Sequence, residues 1–115
     1  MEYLKAIFEE DGEIVKWRVY SVDENTALVE FELKRNLEPA DLKVISPPDP
    51  IKFGFSSKTV ILSGRGPIWF YVFISHKYHI VRVLAIYDPR LNGAVIVASH
   101  DVGFKEGEVI PLKPV

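Results

Sequence analysis

The residues able to do chemistry lie mainly in the second half of the chain. All three histidines fall there, at His76, His79 and His100. Imidazole titrates near neutrality, so a histidine can shuttle a proton or ligate a metal under ordinary conditions. In His76-Lys77-Tyr78-His79 the spacing of three brings both rings to one side of a helix end, which suits acid/base work on RNA or metal binding. Cations are also favoured at a helix C-terminus, so simple capping explains the same residues. His100, followed by Asp101, carries the same two readings. Asp88-Pro89-Arg90 is either a turn opened by its aspartate or a carboxylate that orients water or binds metal, beside a guanidinium able to stabilise a pentacoordinate phosphate. Ser63-Gly64-Arg65-Gly66-Pro67 sets small residues, a hydroxyl and a guanidinium where a strand feeds a helix N-terminus, a place that attracts anions. It lacks the Gly-Lys-Ser/Thr of a Walker loop and has only part of a dinucleotide fingerprint. A tight turn that needs its glycines is the plain alternative.

A scaffold for these groups has to come from 115 residues, enough for one domain (residues 1–115) and too few for two cores. Hydrophobic residues make up 48% and charged residues 26%, the balance of a globular domain with a real core. Cysteine is absent, which excludes disulfides, zinc-thiolate sites and iron–sulfur clusters, so any metal must take nitrogen and oxygen ligands. Lys+Arg is 14 against Asp+Glu 16; with no overall basic field, a nucleic-acid partner would need a local site. Met1 to Glu10 is no secretory signal, and the longest apolar segment, Ile68 to Ile74, is far shorter than a membrane span. Cytoplasmic residence is the expectation.

Alternating apolar and polar residues predict a β-hairpin, Ile14–Tyr20 and Thr26–Leu33, across the turn cluster Ser21–Asn25. Tyr3 to Phe8 reads as a further strand or a helical turn. Glu38–Lys43, with Pro39 near its start and acidic residues in its first turn, predicts a short helix, stopped by Pro47-Pro48-Asp49-Pro50. Then come a strand at Lys58–Leu62, a helix at Ile68–Tyr78 with Pro67 in its first position and Gly66 as cap, and a mostly buried strand at Ile80–Tyr87. Together these make a βαβ crossover, normally right-handed. Asp88–Gly93 is too short for a parallel return, so the strand Ala94–Ala98 should be antiparallel to its predecessor. Glu108–Leu112 reads as an edge strand that tolerates Pro111.

In this topology Ser63–Pro67 and Asp88–Arg90 share the edge at the carboxyl end of strand 58–62, while His76, His79 and His100 gather at the opposite edge. At about 3.3 Å per strand residue, His79 and Asp88 stand on the order of 25–30 Å apart in one chain. Joint action on one phosphate then requires two chains stacked head to tail. Trp69, Phe70, Tyr71 and Phe73 read as core and dimer contact rather than base-stacking residues. Trp17 and Tyr20 likewise read as packing.

The motifs Ser-Gly-Arg-Gly-Pro-Ile-Trp, His-Lys-Tyr-His, Ile86-Tyr87-Asp88-Pro89-Arg90-Leu91, Gly-Ala-Val-Ile-Val and Ser99-His100 occur in this order. Their order and spacing resemble the small CRISPR-associated ring nucleases of the third class, a Csx-type family accompanying type III systems. The resemblance implies a compact α/β fold with a mixed sheet, Rossmann-like and related to the CRISPR-associated Rossmann folds, preceded here by the hairpin. It implies dimers that bind cyclic tetra-adenylate and cleave it with Mn²⁺, or alternatively remove adenylates from the 3′ ends of RNA. Carried over by motif, His79, Asp88 and Arg90 are the catalytic positions, with Asp88 and His79 as metal ligands. Ser63, Gly64, Arg65 and Gly66 would contact phosphate or ribose, supported by His76 and His100. Asn92 is an insertion-like residue in the turn after Arg90. A nonenzymatic sensor of cyclic oligoadenylate or RNA is the competing reading.

Overall fold

The computed structural model describes residues 5–112. Seven strands form one sheet whose spatial order follows the chain, β1 (Lys5–Asp11), β2 (Val15–Asp23), β3 (Thr26–Leu33), β4 (Thr59–Gly64), β5 (Val83–Asp88), β6 (Gly93–Ser99) and β7 (Val109–Pro111). The outer pairs β1–β2, β2–β3, β5–β6 and β6–β7 are antiparallel, and the central trio β3, β4, β5 is parallel. One α-helix, α1 (Ile68–Lys77), connects β4 to β5.

The period-2 pattern decides what each face holds. Val15, Trp17 and Val19 of β2 and Ala27, Val29 and Phe31 of β3 are buried on one face with Val60 and Leu62 of β4. That face is covered by α1, through Phe70 and Ile74, and by the long connection 34–58, through Ile45 and Phe55. On the other face Leu28, Ile61, Val83, Ala85, Ala94 and Ile96 meet Leu112, with Phe104, Tyr87 and Tyr20 packed around them. Val60, Ile61 and Leu62 are therefore all buried, as expected of a central parallel strand. The β2–β3 hairpin shows a charged outer stripe instead, with Arg18 paired to Glu32 at 3.3 Å.

Several sequence expectations shift in position. Tyr3 and Leu4, expected in the first element, lie outside the described residues; Ala6 to Phe8 are extended rather than helical, within β1. The short helix is a 3-10 turn, Pro39–Lys43: a run of only five residues suits the tighter 3-10 geometry, which is used in short pieces. Pro67 is the cap of α1 rather than its first helical residue, extended at ψ 153°, and Gly66 lies outside the cap. The strand before the helix reaches Gly64, so Ser63 and Gly64 belong to β4 and only Arg65–Pro67 is loop. The next strand starts at Val83, because residues 78–82 turn out of α1 first. Antiparallel β5–β6 and an edge strand holding Pro111 are as expected.

Candidate functional site

The carboxyl ends of β3, β4 and β5 meet in a cavity of about 470 Å³ walled by Phe31, Leu33, Ser63, Arg65, Tyr87 and Pro89, with Glu32 at its side. The Ser63–Arg65 segment and the Asp88-Pro89-Arg90 turn thus share one edge. Gly64 has a packing reason of its own: a Cβ there would stand 2.6 Å from the Phe31 ring and carbonyl. The Tyr71 hydroxyl donates to the Gly64 carbonyl and pins the segment to α1.

Asp88 ends β5 and caps the 3-10 turn Pro89–Leu91, its Oδ1 accepting from the Arg90 backbone N–H at 2.9 Å. Its Oδ2 accepts from the Arg90 guanidinium at 3.1 Å. The guanidinium hydrogen bond, then the backbone one, hold the Asp88 carboxyl below its ordinary range, and the same pairing raises Arg90. Near neutrality Asp88 is a carboxylate: it accepts hydrogen bonds or takes a cation, and has no proton to give. Arg90 is 82% exposed, so its guanidinium faces solvent while paired with Asp88. Asn92 closes the turn in the left-handed region at φ 47°, which asparagine tolerates better than most residues.

The three histidines assemble at the other end of β5. His76, at the end of α1, and His79, just beyond it, place their ring centroids 6.3 Å apart. His100, just beyond β6, sets its ring Nε2 2.8 Å from the His79 carbonyl. Asp88 and His79 flank opposite ends of β5 and form no common cluster. Among the described residues no three His, Cys, Asp or Glu side chains gather to hold a metal ion. A single chain therefore does not bring Asp88 and His79 together as ligands of one ion.

Sequence reasoning passed over four residues. Tyr71 pins the loop, and Tyr87 lines the cavity with its hydroxyl enclosed and without a hydrogen-bond partner. Glu30 stands beside Ser63 across the β3–β4 ladder, and burial pushes its carboxyl up against the opposing pull of Arg18. Arg82 joins Asp101 beneath the histidines at 2.9 Å. For the tyrosines the sequence carried no signal of their own, since Tyr71 sits on an almost wholly apolar helix and Tyr87 on a mostly apolar strand; Asp101 adjoined His100 in plain view.

Comparison with known proteins bears on this geometry. Residues 30–111 match the model of a family described as CRISPR-associated protein (Cas_csx3). The chain belongs to the Cas_csx3 family. An uncharacterised protein of Aquifex aeolicus (strain VF5) is 48% identical over 107 residues, covering 93% of this chain and 96% of that protein. The region matched by the Cas_csx3 family model contains the cavity, the Asp88–Arg90 turn and all three histidines. Among the described residues, no helix is long and apolar enough to cross a membrane.

Proposed function

We propose that this Cas_csx3 protein is a ring nuclease that opens cyclic tetra-adenylate to linear oligoadenylate and so switches off type III CRISPR antiviral signalling in the cytoplasm. The observation carrying this reading is the division of β5: an anion-facing edge with Arg65, Ser63 and the Asp88–Arg90 pair at one end, and three clustered histidines at the other. Parallel β3–β5 with a ligand-sized cavity at their carboxyl ends also supports kinship with Rossmann-like sheets, which bind ligands there.

In the proposed reaction the ribose 2′-OH attacks the adjacent phosphorus as His79 takes its proton. The O2′–P bond forms, the P–O5′ bond breaks, and the departing 5′ oxygen gains a proton, leaving a 2′,3′-cyclic phosphate. Arg90 stabilises the phosphorane charge and Asp88 orients the reacting group. The separation of His79 from Asp88 requires two chains, head to tail, in a tetramer or higher stack of homodimers. A Mn²⁺ shared by Asp88 and His79 would lie at that same junction.

The test mixes two dead proteins. His79→Ala and Asp88→Ala should each lose ~10²–10⁴-fold in ring opening, the range for a general acid/base. Their mixture should recover a sizeable fraction, because some junctions pair the two intact halves. No recovery counts against the shared site. Labelled cyclic tetra-adenylate and adenylate-ended RNA, incubated side by side with and without Mn²⁺, separate the alternatives: preferential RNA shortening indicates an exoribonuclease, and binding without turnover a sensor.

A further inference from the structure

We propose that Arg82 and Asp101 form a clamp that positions the histidine end of the sheet, acting through the His100 ring; this rests on the reading of His79 as the proton-moving group. Arg82 lies between His79 and β5 and is held from several directions. Its Nη1 donates to Asp101 Oδ2 at 2.9 Å and its Nη2 to Thr59 Oγ1 at 3.3 Å. The guanidinium lies 5.2 Å from the centroid of the Phe104 ring. Its backbone N–H donates to the Ser56 carbonyl at 2.9 Å, and its own carbonyl accepts from the His100 N–H at 2.8 Å. The start of β4, the start of β5 and the turn after β6 are thereby tied at one residue.

Asp101 closes that turn from the other side. Its Oδ1 accepts from the Gly103 N–H at 2.8 Å, and its N–H donates to Ser99 Oγ at 3.0 Å. The turn so fixed carries His100, whose Nε2 meets the His79 carbonyl at 2.8 Å. A carbonyl only accepts, so Nε2 carries the proton in this hydrogen bond. His79 is held in turn, by its carbonyl.

Stability alone explains this arrangement poorly. The pair is part-buried, with 33% and 25% of the two side chains accessible. Arg82 Nε is enclosed without a partner, a cost that an apolar side chain packed on Phe104 would avoid. What the clamp delivers is placement, and a displacement of about 1 Å in a reacting group can cost ~10²-fold in rate.

The experiment compares wild type, Asp101→Asn and Arg82→Lys in the full chain. Asparagine keeps Oδ1 for Gly103 but turns the other oxygen into a donor that cannot accept from Arg82. Lysine keeps the charge but cannot reach Asp101 and Thr59 together. Expected for Asp101→Asn is a fall of ~10–100-fold in kcat on cyclic tetra-adenylate, the range seen when a supporting residue is removed, with KM within about threefold. Arg82→Lys should fall between it and wild type. Histidine ¹⁵N spectra should show His100 protonated at Nε2 in wild type and its signals moved in Asp101→Asn. Unchanged kcat in both variants with lowered melting temperatures would overturn the clamp, as would a His100 ring without a proton on Nε2. Should Asp101→Asn not fold, Arg82→Lys is judged by the same readouts. If wild type opens no ring, the ring-nuclease reading falls, and the ¹⁵N spectra decide the clamp independently: moved His100 signals sustain it and unmoved ones sink it.

Discussion

Asp88 commits both carboxylate oxygens to the residue two positions on, one to its backbone and one to its guanidinium. A substrate phosphate must compete for Arg90 with a partner already in place. Arg90→Ala should therefore lower ring opening by ~10²–10³-fold, the effect of losing one transition-state donor, and single-turnover kinetics with excess enzyme would show it. Asp41 offers a cleaner view of what such pairing does to a proton. Its carboxylate takes two hydrogen bonds from Arg35, at 2.8 and 3.0 Å, and one from the Glu38 N–H at 2.8 Å. The Arg35 bonds chiefly, with the Glu38 bond behind them, bring its pKa from 3.8 to about 2. A carboxyl depressed on folding stabilises the protein above its unfolded value and ceases to do so as pH falls through the folded one. The difference in urea midpoint between wild type and Asp41→Asn should thus be constant above about pH 5 and close between about pH 4 and pH 2. Asp88 and Arg90 were legible as a motif because residue types and spacing are sequence properties. The enclosed Tyr87 hydroxyl was not, because burial of one atom depends on strands far apart in the chain.

Among the elements, the segment from Ser63 to Pro67 shows why two readings of one motif can coexist. Glycine at 64 is demanded by Phe31 on the neighbouring strand, a contact set by the β3–β4 register in which Phe31 faces Gly64. Gly64→Ala should cost ~1–3 kcal/mol by overpacking, measurable as a lower urea midpoint. An unchanged midpoint would show that Phe31 gives way. The hairpin strand Thr26–Leu33 was readable to the residue, since alternation and turn chemistry agree there. The helix was readable in extent but not in its cap. Apolar residues surround most of α1, so periodicity could not show which face packs; Phe70 and Ile74 turn inward while Ile68 and Val72 are exposed.

For the molecule as a whole, the order of events along the chain foretold the gathering of the histidines at one edge, because an antiparallel β6 must return His100 to the level where β5 begins. The sequence could not say that a single helix would cover one face together with the irregular connection 34–58, or that the C-terminal segment through Phe104 and Leu112 would close the other.

The match between strand order and chain order also has a bearing on how the protein is made. Neighbours in the sheet are neighbours in sequence, so each strand emerging from the ribosome finds its partner already synthesised. This favours rapid growth of structure from the N-terminus, since few contacts wait on distant chain. The longest pause is at β3. Its free edge stays unpaired until the whole of 34–58 and then β4 have appeared, and in that interval the backbone of Thr26–Phe31 lacks the strand that pairs with it. Nascent chains halted just before Thr59 should therefore associate through the open edge of β3 more readily than chains extended past Gly64, in which β4 can occupy that edge.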